Sequence, residues 1–238
     1  MNENLMEVIC IIDESGSMAP LTSDTIGGFN SYLDSLKKLS KKVNLTLVTF
    51  SNKAKTIYNG VDVGTILRMD EYNYRPSGGT ALFDAIGFTV KEVGERLART
   101  NEGDRPSKVT VFIATDGEEN ESRNYKIEQI KQIIKDQTEK YSWDFVFAGA
   151  NIDAFAAGSG MGVSMQNTSG YTADGIGTKS LYLAASMRAD ELSRGVVLSN
   201  FSENLASVDS SFRKDAVDLT ASVPKARGKK VKVDNVSP

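Results

Sequence analysis
Two apolar patterns take turns along the chain. The first is the short unbroken run: Val8-Ile9-Cys10-Ile11-Ile12, then Val109 to Ala114 with only Thr110 interrupting, then Phe145-Val146-Phe147-Ala148. Runs that are apolar at odd and even positions alike, and rich in β-branched or aromatic residues, predict strands covered on both faces. The second is the helical stripe, as in Ile26, Phe29, Leu33 and Leu36, or Leu82, Ala85, Ile86, Val90, Val93 and Leu97, or Ile127, Ile130, Ile133 and Ile134. Taken in order, the patterns predict a strand at 8–12, a helix at 22–39, a strand at 43–51 and a short edge strand at 55–58. A short helix near 65–69, a helix over 81–100 and a strand from 109 to 115 follow. The remainder reads as a helix at 124–140, a strand at 143–150, a short helix at 153–160, a short strand at 165–171 and a helix at 178–194. Strands alternating with helices imply an α/β fold with a doubly wound, mostly parallel central sheet flanked by helices, Rossmann-like in layout. Gly87 and Gly94 interrupt the clearest helix, at about 1 kcal/mol each against alanine, and predict close packing against the sheet. From Val196 the pattern weakens. The expected division is a domain over 1–195, an extension over 196–220 with a short helix around 207–217, and a basic, disordered tail over 221–238.

The first strand runs into Asp13-Glu14-Ser15-Gly16-Ser17. Ligand sites of parallel sheets lie just past the carboxyl ends of the strands, and that is where these side chains fall. One carboxylate and two hydroxyls at alternate positions turn three oxygens toward one point. A hard divalent cation favours such a set, with oxygen donors, few charges and room for water. A polar helix N-cap uses the same residue types, so these residues alone leave both readings open.

Two further stretches bear on the choice. Pro76-Ser77-Gly78-Gly79-Thr80 is a Gly-Gly turn presenting Thr80 at a helix start, and the strand at 109–115 ends in Asp116-Gly117. With them the sequence resembles the von Willebrand factor A domain, in its short intracellular bacterial or phage type, from about Glu7 to Gly195. That family's metal-ion-dependent adhesion site is Asp-x-Ser-x-Ser on one loop, a Thr on a second and an Asp on a third. Asp13, Ser15 and Ser17 match the first loop, Thr80 the second and Asp116 the third. The resemblance implies one antiparallel edge strand in the sheet and a bound Mg²⁺, with Mn²⁺ or Ca²⁺ as substitutes. It also implies binding rather than turnover, with a partner protein's Asp or Glu carboxylate completing the ion's coordination.

Composition removes most catalytic alternatives. The chain has 238 residues and no histidine, which excludes Ser-His-Asp and Cys-His chemistry and His-ligated zinc. Cys10 is the single cysteine; it lies within an apolar strand and reads as a buried structural thiol. No apolar run is long enough for a membrane span, and no leader pattern opens the chain. The expectation is a cytoplasmic protein. Gly158-Ser-Gly-Met-Gly162 lacks dinucleotide-loop spacing, and Gly175-Ile-Gly-Thr-Lys179-Ser180 lacks that of a phosphate-binding loop. The acidic stretch Glu118-Glu119-Asn120-Glu121 reads as a solvated helix start. One enzyme alternative survives, a Mg²⁺-dependent phosphatase of haloacid-dehalogenase type with Asp13 as nucleophile. It needs an acid two residues later, where Ser15 stands, and a hydroxyl is a poor proton donor at neutral pH. From Arg213 on, seven basic residues face three acidic ones. Only this stretch offers anything to nucleic acid.

Overall fold
The computed structural model describes residues 1–222. A six-stranded sheet forms its centre, in the order β3-β2-β1-β4-β5-β6. The strands are β1 (Asn2–Asp13), β2 (Lys42–Phe50), β3 (Ala54–Asp62), β4 (Pro106–Thr115), β5 (Asp144–Gly149) and β6 (Thr168–Gly170). Every neighbouring pair is parallel except β2 with β3, an antiparallel hairpin at one edge. The helices are α1 (Thr22–Leu36), α2 (Leu82–Arg99), α3 (Ile127–Tyr141), α4 (Ala154–Gly160), α5 (Gly175–Ser193) and α6 (Phe201–Ser222). The expected α/β architecture is the one observed, antiparallel edge strand included.

The continuous apolar runs are explained by what covers each face. On β1, Val8, Cys10 and Ile12 turn into one core with Phe29, Tyr32 and Leu33 of α1 and Leu181 and Tyr182 of α5. Ile9 and Ile11 turn into the other, with Ile86 and Val90 of α2 and Ile130 and Ile134 of α3. All five β1 side chains are at most 1% exposed, each burial contributing about 1.5–3 kcal/mol for an aliphatic chain. The order in which strands are added reverses between β1 and β4, which are themselves parallel: from β1 the sheet grows outward to β2 and β3, and from β4 outward to β5 and β6. The ends of β1 and β4 at that reversal leave the crevice in which ligands of such sheets sit.

Several local expectations need correcting. Of residues 65–69 only Thr65 is helical, as the end of a single 3-10 turn; residues 66–69 are not. A tight turn at Val63–Thr65 is capped by the Asp62 carboxylate on Gly64 N–H at 2.7 Å, and the chain then extends. Asn30 of α1 bonds both backbone groups of Met69, accepting its N–H at 2.8 Å and donating to its carbonyl at 2.9 Å. Those are the groups a helix would need for itself. Gly87 and Gly94 do not face the sheet. A Cβ at Gly87 would meet the Tyr125 ring at 2.5 Å, and Gly94 has only Gln137 nearby, at 3.9 Å. The strand expected at 165–171 is confined to Thr168–Gly170, after a turn at Met165–Asn167. In the extension, α6 is longer than the helix expected at 207–217. It buries Phe201 and Leu205 in the core shared with α5, and its Arg213 pairs with Asp174 at the start of α5. Apart from its first two positions, the tail expected at 221–238 lies outside the described residues. Among the described residues no helix is long and apolar enough to cross a membrane.

Candidate metal site
Asp13 is the last residue of β1, and its neighbour Thr115 the last of β4. Asp13 is fully buried, and both its carboxylate oxygens are engaged. Oδ1 accepts the Ser15 N–H at 2.7 Å, and Oδ2 accepts the Thr115 hydroxyl at 2.5 Å. Burial pushes this carboxyl above its ordinary range; the bonds from Thr115 and Ser15 pull it back in part, and the nearby Asp116 raises it again. Asp116 is raised by burial too, against the Ser17 hydroxyl bond. Two carboxylates raised by burial, Asp116 raising Asp13 further, with no cationic side chain bonded to either among the described residues, are a place where positive charge is missing.

The hydroxyls lie around the same point. Ser15 Oγ and Ser17 Oγ are 3.0 Å apart, and Ser17 donates to Asp116 Oδ1 at 2.7 Å. Thr80 is 2% exposed, yet its hydroxyl makes no hydrogen bond among the described residues. Gly117 marks the hollow between the loops: a Cβ there would lie 3.5 Å from Thr80 Oγ1 and 3.8 Å from Ser17 Oγ. Asp13, Ser15, Thr80 and Asp116 are buried and Ser17 is exposed, so the cluster opens to solvent on the Ser17 side. The fold thus brings all five sequence-predicted residues to one end of the sheet, at its reversal point.

Backbone bonds tie the loops together. Gly16 N–H donates to Gly78 O at 3.0 Å, and Ser77 N–H to Glu14 O at 2.9 Å. Gly78 has φ +77°, the left-handed conformation that glycine adopts without cost. Tyr74 donates its hydroxyl to the Asp13 carbonyl at 2.6 Å, and Glu14 accepts the Arg75 N–H. Sequence reasoning passes over Thr115 and Tyr74. Thr115 is detectable in principle, as the hydroxyl preceding the strand-end Asp116; Tyr74 leaves no signal, lying in a stretch without periodicity. The acidic stretch is not a solvated helix start, since α3 begins only at Ile127. Its Asn120 and Glu119 instead bond the beginning of α2.

An oxygen-only donor set of two carboxylates and three hydroxyls fits a hard divalent cation. Among the described residues there is no group of three or more His, Cys, Asp or Glu that could hold a metal. A metal held at this point would therefore depend on the hydroxyls.

Residues 7–167 match the von Willebrand factor type A domain. The chain belongs to that family. No curated protein matches it. Among solved structures, the A domain is similar to a von Willebrand factor type A protein from Catenulispora acidiphila (17% identity, TM-score 0.51, covering 79% of this chain and 43% of that one). It is also similar to the PilB minor pilin of Streptococcus sanguinis (12% identity, TM-score 0.57, 80% and 62%). A third is mussel byssus proximal thread matrix protein 1, solved with a zinc-occupied metal-ion-dependent adhesion site (14% identity, TM-score 0.54, 78% and 46%). At these identities the likeness is one of fold. The chain spans less than two thirds of the length of each of these proteins.

Proposed function
We propose that this A domain is a Mg²⁺-dependent protein-interaction module of the short intracellular bacterial or phage type, whose partner supplies an Asp or Glu carboxylate to the ion. Ser15, Ser17 and Thr80 would offer hydroxyl oxygens, and Asp13 and Asp116 would balance the charge, directly or through waters. Mn²⁺ or Ca²⁺ would substitute. Two carboxylates leave a divalent ion with no excess negative charge around it, and Ser17 leaves it an open side. An electrophilic ion on a rigid sheet end is suited to gripping an anion on another molecule. The zinc in the mussel protein supports the reading, since a site of this name holds a divalent ion there in a similar fold. The single buried cysteine is compatible with a cytoplasmic setting.

The observation that carries the reading is the unbonded Thr80 hydroxyl, facing Ser17 and Asp116 across the Gly117 hollow. No observation favours the phosphatase alternative: Ser15, at the position its general acid would need, pairs with Ser17. Adding Mg²⁺ or Mn²⁺ at a hundredfold excess over Kd should stabilise the fold by about 2.7 kcal/mol, roughly 5–11 °C in Tm. Asp13→Ala should abolish the shift. Thr80→Ala should weaken capture of a partner in Mg²⁺ while leaving the EDTA background unchanged. A melting curve indifferent to millimolar Mg²⁺ and Mn²⁺ would overturn the reading.

A further inference from the structure
The Thr80 and Asp116 loops are joined by a set of bonds that the five-residue motif does not contain. Asn120 Oδ1 accepts the Thr80 N–H at 2.8 Å, and the Thr80 carbonyl accepts Asn120 N–H at 3.0 Å and Glu121 N–H at 3.3 Å. Both polar backbone groups of Thr80 are thus taken by the segment that follows Asp116. Glu119 reaches the next turn. Its Oε2 accepts Phe83 N–H at 2.8 Å and the Ser122 hydroxyl at 2.7 Å, and its Oε1 accepts the N–H groups of Glu121 and Ser122 at 2.9 and 2.7 Å. The clasp is reciprocal. Asp84, on the first turn of α2, accepts backbone N–H groups from Arg123, Asn124 and Tyr125 at 2.8–3.0 Å, and the Asn124 side chain at 2.8 Å. Burial pushes the Asp84 carboxyl up, but these bonds outweigh it and hold it below its ordinary range.

Nothing comparable fixes the Thr80 hydroxyl itself, which is free to meet a ligand. Its position is set through its backbone, and its backbone is set by Asn120 and, one turn on, by Glu119. We infer that Asn120 and Glu119 are positioning residues of the metal site, holding the Thr80 and Asp116 loops as one unit. This inference rests on the metal reading above. Groups that orient metal ligands from behind commonly matter about 10- to 100-fold in affinity, and the clasp stands in that relation to Thr80.

The test titrates Mn²⁺ into the full chain, following the free-ion electron paramagnetic resonance signal, well below the Tm of every variant. Asn120→Ala should raise the Mn²⁺ Kd about tenfold. Glu119→Gln keeps its size but replaces one acceptor oxygen by an amide nitrogen that cannot accept; it should raise Kd in the same direction, and decides the matter if Asn120→Ala does not fold. Glu118→Gln makes the same change of charge on the exposed neighbour and should leave Kd unchanged. Val93→Ala, in the α2 core, should lower the Tm without moving Kd. Wild-type Kd in both clasp variants would overturn the inference and leave the metal reading intact. A Kd raised equally by Glu118→Gln or Val93→Ala would overturn it too, as reporting charge or general destabilisation. A wild-type chain that does not bind Mn²⁺ would overturn the metal reading and this inference with it.

Discussion

Away from the candidate site, Arg96 of α2 reaches a carboxylate buried inside the sheet. Glu7 of β1 is 0% exposed; its Oε1 accepts from Arg96 at 2.6 Å and from the Thr46 hydroxyl at 2.9 Å, and its Oε2 has no partner among the described residues. Burial pushes the Glu7 carboxyl up from its ordinary 4.5, and Arg96 and Thr46 pull it back only in part. Arg96→Met keeps most of the side chain's apolar stem and removes the cation. Glu7 must then take up a proton to stay inside. Holding a carboxyl of ordinary value 4.5 protonated near pH 7 costs at most about 3.4 kcal/mol, at 1.36 kcal/mol per pH unit. Near pH 5 the same requirement costs under about 1 kcal/mol.

The sign follows from the direction of the shift. A carboxyl raised on folding contributes most stability below its unfolded value, and the contribution is lost as pH rises through its folded value. Without Arg96 the folded value rises further, so the gap between variant and wild type should widen toward neutral pH. Urea unfolding followed by Trp143, the one tryptophan and a buried one, measures it near pH 5 and near pH 7. A loss of 3.4 kcal/mol corresponds to roughly 7–14 °C in Tm for a domain of this size. Glu7→Leu with Arg96→Met should recover most of the loss, because a well-packed apolar pair often equals or exceeds a buried ion pair. A gap that is the same at both pH values, or under about 0.5 kcal/mol at neutral pH, would refute the claim that Arg96 compensates a buried charge.

Gly28→Ala should cost about 1–3 kcal/mol by overpacking, since a Cβ there would lie 2.2 Å from the ring of Tyr182, itself buried between α1 and α5; chemical denaturation checks this, and a neutral result would mean that α1 and α5 separate easily. Arg213→Ala should speed amide exchange in α6, because Arg213 bonds both oxygens of Asp174 at 2.9 and 3.0 Å. Arg213 holds the Asp174 carboxyl below its ordinary 3.8, so this tie is present above that pH and lost as pH falls below it; wild-type α6 should therefore loosen in acid, and exchange that is flat across that range would count against the tie.

The architecture is legible because each β1 side chain answers to one of two covered faces. Val8, Cys10 and Ile12 meet α1 and α5, while Ile9 and Ile11 meet α2 and α3, so a continuous apolar run is the pattern that a doubly covered strand requires. The misread segments are those where a distant polar side chain claims the backbone. Asn30 takes the N–H and carbonyl of Met69, 39 positions away, and no local pattern announces it. Asp84 takes the amides of residues 123–125, which delays α3 to Ile127 where apolar spacing alone predicts a start at 124. Intrinsic helix preference differs by under 1 kcal/mol per ordinary residue, and a set of charge-assisted bonds to one buried carboxylate exceeds that.

The same distinction runs through the candidate site. Its donors are legible because chemistry fixes their type: a cation wants oxygens at the ends of strands, and alternate spacing in Asp13, Ser15 and Ser17 delivers them from one loop. Their support is not legible, because a hydrogen bond to a backbone amide can be made by Asn, Asp, Glu, Ser or Thr from any loop of suitable length. Glu119 and Asp84 illustrate the ambiguity. In sequence both are acidic residues near a helix start, a setting that a solvated surface or the helix dipole explains equally well. In the fold each is directed at the other's loop, Glu119 at the amide of Phe83 and Asp84 at the amides of 123–125. Two carboxylates that cross between the same two loops constrain those loops more than either would alone. With the bonds of Asn120 to the Thr80 backbone, they tie the chain on either side of Thr80 to the segment after Asp116, which is why the inferred positioning residues touch neither candidate ligand's side chain.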